Sequence, residues 1–445
     1  MVINMKRSIS LLLAILMATI SVTAIKMIAP TIFTTSTVRA TGDRNAPVGY
    51  NEHDYNQIVA WLEQTDENGV KNGEKYSSEY DPAVPNTWGD LVLWEEFNGE
   101  KRLSVVCDWR DTPFPPNKSP LVGTLDLNGC TELNGVSLGW NMLTSINVDN
   151  CPNFELLHAY HNKLSYVSFK NCPNMQVFHI SENELTGVLD LSTCSQLQSI
   201  ACDDNRIEAL ILGKHDNLFY ISCDNNLIRD IDISGCSIIE QLYCSDNLLT
   251  KLDLSALENC MFFERLDCSN NLITTLDLTV AGSPFSAFCG GNPFKEFHWS
   301  PGSDYTPGFA LDLYADGLGY FDVTYLEDDD LTTIEAFAVN GSEFLGWFNE
   351  NGECVYDESR FIVEPGMQLN LTARFVGGTE ITLGDVDGDG TISVADAIFV
   401  IRKALELIDL DAEQMIAADV DANGQIGVDD ALLICRHALG LIEGF

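Results

Sequence analysis

The stretch "DVDGDGTISVAD", residues 385–396, places four carboxylates in twelve residues of a chain whose formal net charge is already -42. The arrangement returns 34 residues later as "DVDANGQIGVDD", residues 419–430. Crowded carboxylates repel one another unless a cation sits among them. A calcium loop takes oxygen ligands at positions 1, 3, 5, 7, 9 and 12, with glycine at 6 for the sharp turn. The first loop puts Asp385, Asp387, Asp389 and Asp396 at 1, 3, 5 and 12, Gly390 at 6, the Thr391 carbonyl at 7 and Ser393, through water, at 9. The second offers Asp419, Asp421, Asn423, Gly424, the carbonyl of Gln425, and Asp430. The chemistry expected here is binding of two calcium ions.

The segments flanking each loop tell how the calcium is used. A sensor-type site has an entering helix and a bidentate Glu at position 12. Both loops here end in the shorter Asp, and "GGTEITLG" before the first is no helix. Each runs instead into one apolar helix, "VADAIFVIRKALEL" and "VDDALLICRHALGL". Residues 381–445 therefore resemble a type I dockerin, the module that plugs proteins into cellulosome scaffolds. The resemblance implies an all-α domain whose calcium ions hold two loop–helix units in a near-twofold arrangement, with a cohesin of a scaffoldin as partner. Carried over by position, the cohesin face falls on Val394, Ala395, Arg402 and Lys403, and in the duplicate on Val428, Asp429, Arg436 and His437. The family often has hydroxyl residues at loop positions 10 and 11; this chain has Val-Ala and Val-Asp, and Asp429 breaks the duplication.

Upstream, "LQSIACDDNRIEALIL", "LFYISCDNNLIRDIDI", "IEQLYCSDNLLTKLDL" and "FERLDCSNNLITTLDL" share the pattern L-x-x-L-x-C-x-x-N-x-L-x-x-L-x-L. This resembles a leucine-rich repeat with Cys for the third Leu. The fold class expected is thus multidomain: a leucine-rich-repeat solenoid of the α/β type with short parallel strands, a small all-β module, and the dockerin. The repeat asparagines are Asn141, Asn162, Asn183, Asn205, Asn226, Asn247, Asn271 and Asn292, spaced 21 or 22 residues apart except for one step of 24. Each is expected to bond backbone groups where a short strand turns away, and stacking buries a core no repeat forms alone. The fourteen cysteines of an exported chain first suggest disulfides. Their spacing says otherwise. Cys202, Cys223, Cys244, Cys268 and Cys289 each precede a repeat Asn by three, while Cys130, Cys151, Cys172, Cys194, Cys236 and Cys260 form a second series. Both are inward positions where a free thiol packs as a small hydrophobe.

Outward strand residues line one shared concave surface. They are expected to include Trp140, Leu156, His158, Tyr160, His161, Val177, His179 and Ser181 at one end, then Asp203, Tyr220, Asp224, Tyr243 and Asp267. His158 and His179 share a register. Of these, Trp140, His158, Tyr160, His161, His179, Tyr220 and Tyr243 form the candidate face for a protein or glycan ligand, since aromatic clusters ringed by polar groups suit recognition. The three histidines also suit a transition metal, without a Cys or carboxylate at a recognisable spacing.

The remaining stretches complete the layout. Residues 1–40 read as a secretory signal, with Lys6 and Arg7 before "SISLLLAILMATISV"; cleavage after Ala40 would remove four positive charges and take the net charge to -46. Residues 45–118, with a helical spacing at Ile58, Val59 and Leu62 and a hairpin ending near Cys107, read as the solenoid's N-terminal cap, and "DP…W…W…R" resembles caps before other leucine-rich repeats. The repeats span 119–300. Residues 305–378 alternate as strands, and "FLGWFNENGECVYD" holds an NG turn; the pattern resembles small β modules of bacterial surface proteins. The dockerin occupies 381–445. No other apolar run reaches the ~20 residues that cross a bilayer, and the acidity excludes nucleic acid. No nucleophile elbow, HExxH, P-loop or GxGxxG is present, and nothing places Glu343 and Glu353 across a substrate as a glycosidase pair. The reading is a non-catalytic, secreted, extracellular cellulosome component; the alternative is an accessory role beside glycoside hydrolases in polysaccharide breakdown.

Overall fold

The computed structural model describes residues 45–108, 119–258, 260, 262–279, 286–299, 310–326, 331–339, 341–364, 367–377, 382–388, 390–405, 407–410, 412–421, 425–442 and 444–445. The expected signal at 1–40 lies outside them. The chain divides into two units, one over 42–378 and one containing 379–445.

The first unit begins with helix α1 (Glu52–Leu62), capped by Asn51, whose side chain accepts from the Asp54 amide. Its apolar residues Tyr55, Ile58, Val59 and Leu62 fall at helical spacing and are all buried. Trp88 stacks on Tyr55 with ring centroids 5.8 Å apart. Asp54 is fully buried and accepts from Arg102 Nε at 2.7 Å and the Leu103 amide at 3.0 Å. That pair pins the helix to the hairpin Val92–Phe97/Glu100–Cys107. Asn98 and Gly99 turn the hairpin with φ of 54° and 85°, the positive values that such tight hairpin turns require.

The hairpin's second strand opens the solenoid. Cys107 pairs in parallel with Ser137, and seven more short strands follow at the repeat spacing, from Leu156–His158 to Ser286–Phe288, making a ten-stranded sheet. Each three-residue strand buries its middle residue, as Leu157, Phe178, Ile200 and Leu242 do. The returning limb carries short strands, such as Met142–Asn147 and Arg206–Ile211, and one 3-10 turn at Ser255–Leu257. Among the described residues no α-helix lies between the repeats.

The asparagines do the work expected of them. Asn226 Nδ2 donates to the carbonyls of Cys202, Cys223 and Asp224 at 3.0–3.1 Å, and its Oδ1 accepts from the Ile207 amide at 2.9 Å. One side chain thus satisfies its own turn and the previous repeat. Both cysteine series are buried and free, with Cys172 Sγ 3.0 Å from the Val148 carbonyl. Burial pushes the Cys151 thiol up to about 12 and that of Cys172 to about 11, so these sulfurs are inert filling. His215, fully buried, replaces the cysteine expected between Cys194 and Cys236, and its Nε2 lies 2.6 Å from the Leu212 carbonyl.

At the far end the last repeat strand, Glu296–Trp299, pairs antiparallel with Ala310–Asp316. The sheet then continues through Gln368–Gly377, Ser342–Phe348 and Cys354–Tyr356. Trp347 is fully buried against Phe321 and Phe361, and this core is continuous with that of the repeats. Within 310–377, Gly319–Leu326, Leu331–Ala338 and Arg360–Val363 form a separate three-stranded sheet, and the whole segment falls in the same unit as the repeats.

The second unit holds α2 (Val394–Ala404), α3 (Ala412–Ala418) and α4 (Val428–Ala438). The first and last are offset by 34 residues, like their loops. Among the described residues its apolar core comprises ten buried side chains, four of them alanine, which is little apolar surface to hold a fold.

Candidate functional site

The two loops present matching carboxylate groups. Ligand oxygens of Asp385, Asp387 and Asp396 lie within 4.8 Å of one another, and so do those of Asp419, Asp421 and Asp430. Calcium–oxygen distances near 2.3–2.6 Å allow one ion to reach oxygens so placed, and an all-oxygen donor set suits a hard cation. Asp389, Asn423 and Gly424 lie outside the described residues. Thr391 and Gln425 are exposed at position 7 of their loops.

The last Asp of each loop also organises the backbone around it. Asp396 is fully buried. Its Oδ1 accepts from the amides of Val386 and Asp387 at 2.8 and 3.0 Å, and its Oδ2 from the Ser393 amide and hydroxyl at 2.8 and 3.0 Å. Asp430 repeats this at Val420, Asp421 and Gly427, at 3.0, 3.4 and 2.8 Å. Each carboxylate closes its loop and caps its helix at once, which is why a short arm serves here. Burial, with Asp421 and Asp419 nearby, raises the Asp430 carboxyl above its ordinary range. A third convergent group, His53, Asp54 and Cys130, is structural: Arg102 holds Asp54 at 2.7 Å, and burial raises the Cys130 thiol.

Of the expected cohesin face, Ala395, Arg402, Val428, Asp429 and Arg436 are exposed, while Val394, Lys403 and His437 are half-buried. Lys403 Nζ lies 3.5 Å from Asp409, and the His437 ring packs 5.1 Å from Phe445. Sequence reasoning missed four leucines at the helix ends. Leu405 and Leu407 are 53% and 68% exposed, and their duplicates Leu439 and Leu441 are 53% and 65% exposed. The 34-residue offset between "KALELI" and "HALGLI" was the signal for them. The helix α3, which lies in sequence between the two loop–helix repeats, was also missed.

On the solenoid, His158 and His179 are register partners and stack with centroids 5.0 Å apart. His179 Nε2 lies 2.7 Å from Ser199 Oγ, and burial, then His158, lowers its pKa to about 4. Among the described residues no histidine belongs to a convergent metal-ligating group apart from His53. Trp140 and His161 do not sit on strands as expected. They occupy the turn position just before the repeat Asn, with φ of 55° and 50°, and stack on each other at 3.4 Å. Glu182, Asp204, Asn225, Asp246 and Asn270 continue that left-handed column. Tyr160 meets His161 edge-on at 5.9 Å and covers Gly139, where a Cβ would lie 2.8 Å from its ring. Tyr220 and Tyr243 lie 5.8 Å apart in the middle of the face. Arg265 was not foreseen: its guanidinium lies 5.6 Å from the Tyr243 ring centre and 4.9 Å from that of Phe288.

Residues 383–438 match the family model described as the dockerin type I domain. No curated protein matches the chain. Among solved structures, the chain is similar to YopM, a leucine-rich effector protein from Yersinia pestis, at 21% identity and TM-score 0.33, covering 39% of this chain and 50% of that one. It is similar to internalin C2 from Listeria monocytogenes at 19% and 0.28, covering 37% of this chain and 80% of that one. A plant ice-binding protein matches at 15% and 0.36, covering 55% and 88% respectively. The chain thus spans half the length of the Yersinia protein, and likenesses at these scores indicate nothing about its ligand. Dockerins and leucine-rich repeats are non-catalytic modules, and no described helix is long and apolar enough to cross a membrane. Residues 383–438 carry a type I dockerin, which follows in sequence a solenoid of short parallel strands at the repeat spacing.

Proposed function

We propose that this protein is a secreted, non-catalytic cellulosome component. Two calcium ions, held by Asp385, Asp387, Asp389, Thr391 and Asp396 and by Asp419, Asp421, Asn423, Gln425 and Asp430, fold the dockerin. The dockerin docks onto a cohesin of a scaffoldin, and the concave face of the solenoid holds a protein or carbohydrate.

The observation that carries this reading is the duplicated geometry of the loops. Asp396 and Asp430 make the same backbone contacts 34 residues apart, and each leads into a helix of eleven residues. With ten buried residues beneath them, the loops tie folding to the ion, because metal binding energy becomes folding energy where no site exists in the unfolded chain. Ala395, Arg402, Val428 and Arg436, with the exposed leucines of the helix ends, supply a face of two related halves. Asp429 in place of Ala395 makes those halves unequal, so one docking orientation is favoured.

The test passes the full-length protein over immobilised type I cohesins in calcium and in chelator. Capture that requires calcium supports the proposal. Capture indifferent to chelator, or none by any cohesin of a broad panel, refutes it.

A further inference from the structure

The outward face of the ten-stranded sheet changes character along its length. Indole, phenol and imidazole rings gather at Trp140, Tyr160 and His158, and carboxylates replace them in later repeats. Asp203 and Asp224 occupy equivalent positions in adjacent repeats, two residues before Asn205 and Asn226, and Asp267 lies two strands beyond Tyr220–Ser222.

Uncharged donors hold these carboxylates. Asp203 accepts from Ser181 Oγ at 2.7 Å on one oxygen and from Ser222 Oγ on the other. Asp224 accepts from the Ser245 amide and hydroxyl at 2.6 and 2.9 Å, and Asp267 from those of Ser269 at 3.1 and 2.6 Å. Among the described residues, no Lys or Arg stands at ion-pair distance from any of the three. Elsewhere in the same unit, buried or half-buried acids do have such partners, Asp54 with Arg102 and Asp66 with Lys75. Burial, with Asp203 and Asp267 as neighbours, pushes the Asp224 carboxyl up to about 7. The same charges act on Tyr220, whose hydroxyl is raised by burial and by Asp203 and Asp224, so the tyrosine pair and the acids share one patch.

Resting on the reading of the concave face as a recognition surface, we infer that its ligand is an extended cationic polypeptide. A Lys or Arg side chain of that ligand lies against the Tyr220–Tyr243 rings and between the carboxylates of Asp203 and Asp224. Rings and carboxylates together suit a cation, through its attraction to the ring face and to the acids. A divalent ion is a poorer fit, because these carboxylates follow the stack of repeats and form no convergent group like those of the two loops. A neutral glycan would leave the charge uncompensated.

The test uses full-length, calcium-loaded protein and three probes: a labelled peptide of three Gly-Lys-Tyr units, its Gly-Glu-Tyr counterpart, and cellohexaose. Asp203→Asn with Asp224→Asn is compared with Asp216→Asn and Glu258→Gln, a charge-matched pair on exposed loops. The lysine peptide is expected to bind, to lose at least tenfold in affinity in the concave pair, and to change less than twofold in the loop pair. Tyr220→Leu with Tyr243→Leu should weaken it as well, whereas the Phe pair retains it. Melting curves check that each variant is folded. Equal losses in both acid pairs, or no binding of the lysine peptide, overturn the inference. Cellohexaose binding that Trp140→Ala abolishes, without lysine-peptide binding, overturns it while leaving the recognition surface standing. If no concave substitution alters any binding, both readings fall.

Discussion

The solenoid and the dockerin are both built by repeating a short unit, yet they secure it in opposite ways. The solenoid stacks eight strand turns, and each repeat's asparagine answers backbone groups of its own turn and its neighbour's. Its order needs nothing but protein. The dockerin repeats its unit twice, buries an apolar core of ten residues among those described, and gathers carboxylates that repel one another without a cation. On the proposed reading the number of repeats decides the difference: eight units bury a continuous core, and two borrow an ion. The comparison also separates the two kinds of acid. Asp396 and Asp430 lie buried under converging amides, whereas Asp203, Asp224 and Asp267 line an open face.

The largest effect expected is at the loops. Asp396→Ala or Asp430→Ala removes a ligand, a loop closure and a helix cap together, and should cost at least the ~10–100-fold in metal affinity that outer contacts alone cost. Calcium titration checks this, and the solenoid's melting should not change. Next comes the solenoid's first end. Asp54→Ala leaves Arg102 half-buried without its partner and should destabilise the cap by about 3–5 kcal/mol, read by denaturant unfolding, with calcium affinity unaltered. A ladder position ranks third. Asn226→Ala strands buried carbonyls and the Ile207 amide and should cost about 1–3 kcal/mol, with the half-buried Asn183 costing less.

Smaller still are the pH effects on the concave face. Asp224 titrates at about 7 in the fold against an ordinary 3.8. Its folded pKa is raised, so its contribution to stability is fully present below about pH 4 and is lost as pH rises to about 7. His179 runs the other way: lowered to about 4 from 6.5, it contributes above pH 6.5 and that contribution is lost as pH falls toward 4. The two offset each other between pH 4 and 6.5. Asp224→Asn should therefore raise stability at pH 7 relative to pH 4, and His179→Gln should do the reverse, both read from melting temperatures across pH. Smallest of all, Lys251→Ala, which breaks an exposed pair with Asp230, should leave melting unchanged.

Much of this was legible in the residues because periodicity forces it. A spacing of 21 or 22 residues fixes which asparagine stacks on which, and the loop positions 1, 3 and 12 fix the carboxylates found to converge. The misses share a cause as well. Trp140 and His161 were assigned to strands because alternation puts them outward, but the strands are three residues long and the chain has already turned, into a left-handed conformation that side chains rarely adopt. The buried Asp54–Arg102 pair joins residues 48 apart and leaves no periodic trace. His215 in the cysteine column was visible as a break in a series but carried no motif. That Ala310–Asp316 joins the solenoid's last strand depends on an antiparallel pairing running from Glu296 with Tyr314 to Trp299 with Leu311, which local alternation cannot reveal.

Hydrogen exchange on the full-length protein, with calcium and with chelator, tests the account most directly. Chelation should strip protection from 394–404 and 428–438 while the amides paired along 135–288 stay protected. Helices that keep their protection in chelator, or a solenoid that loses its own, would contradict the claim that the ion holds one region and stacking the other.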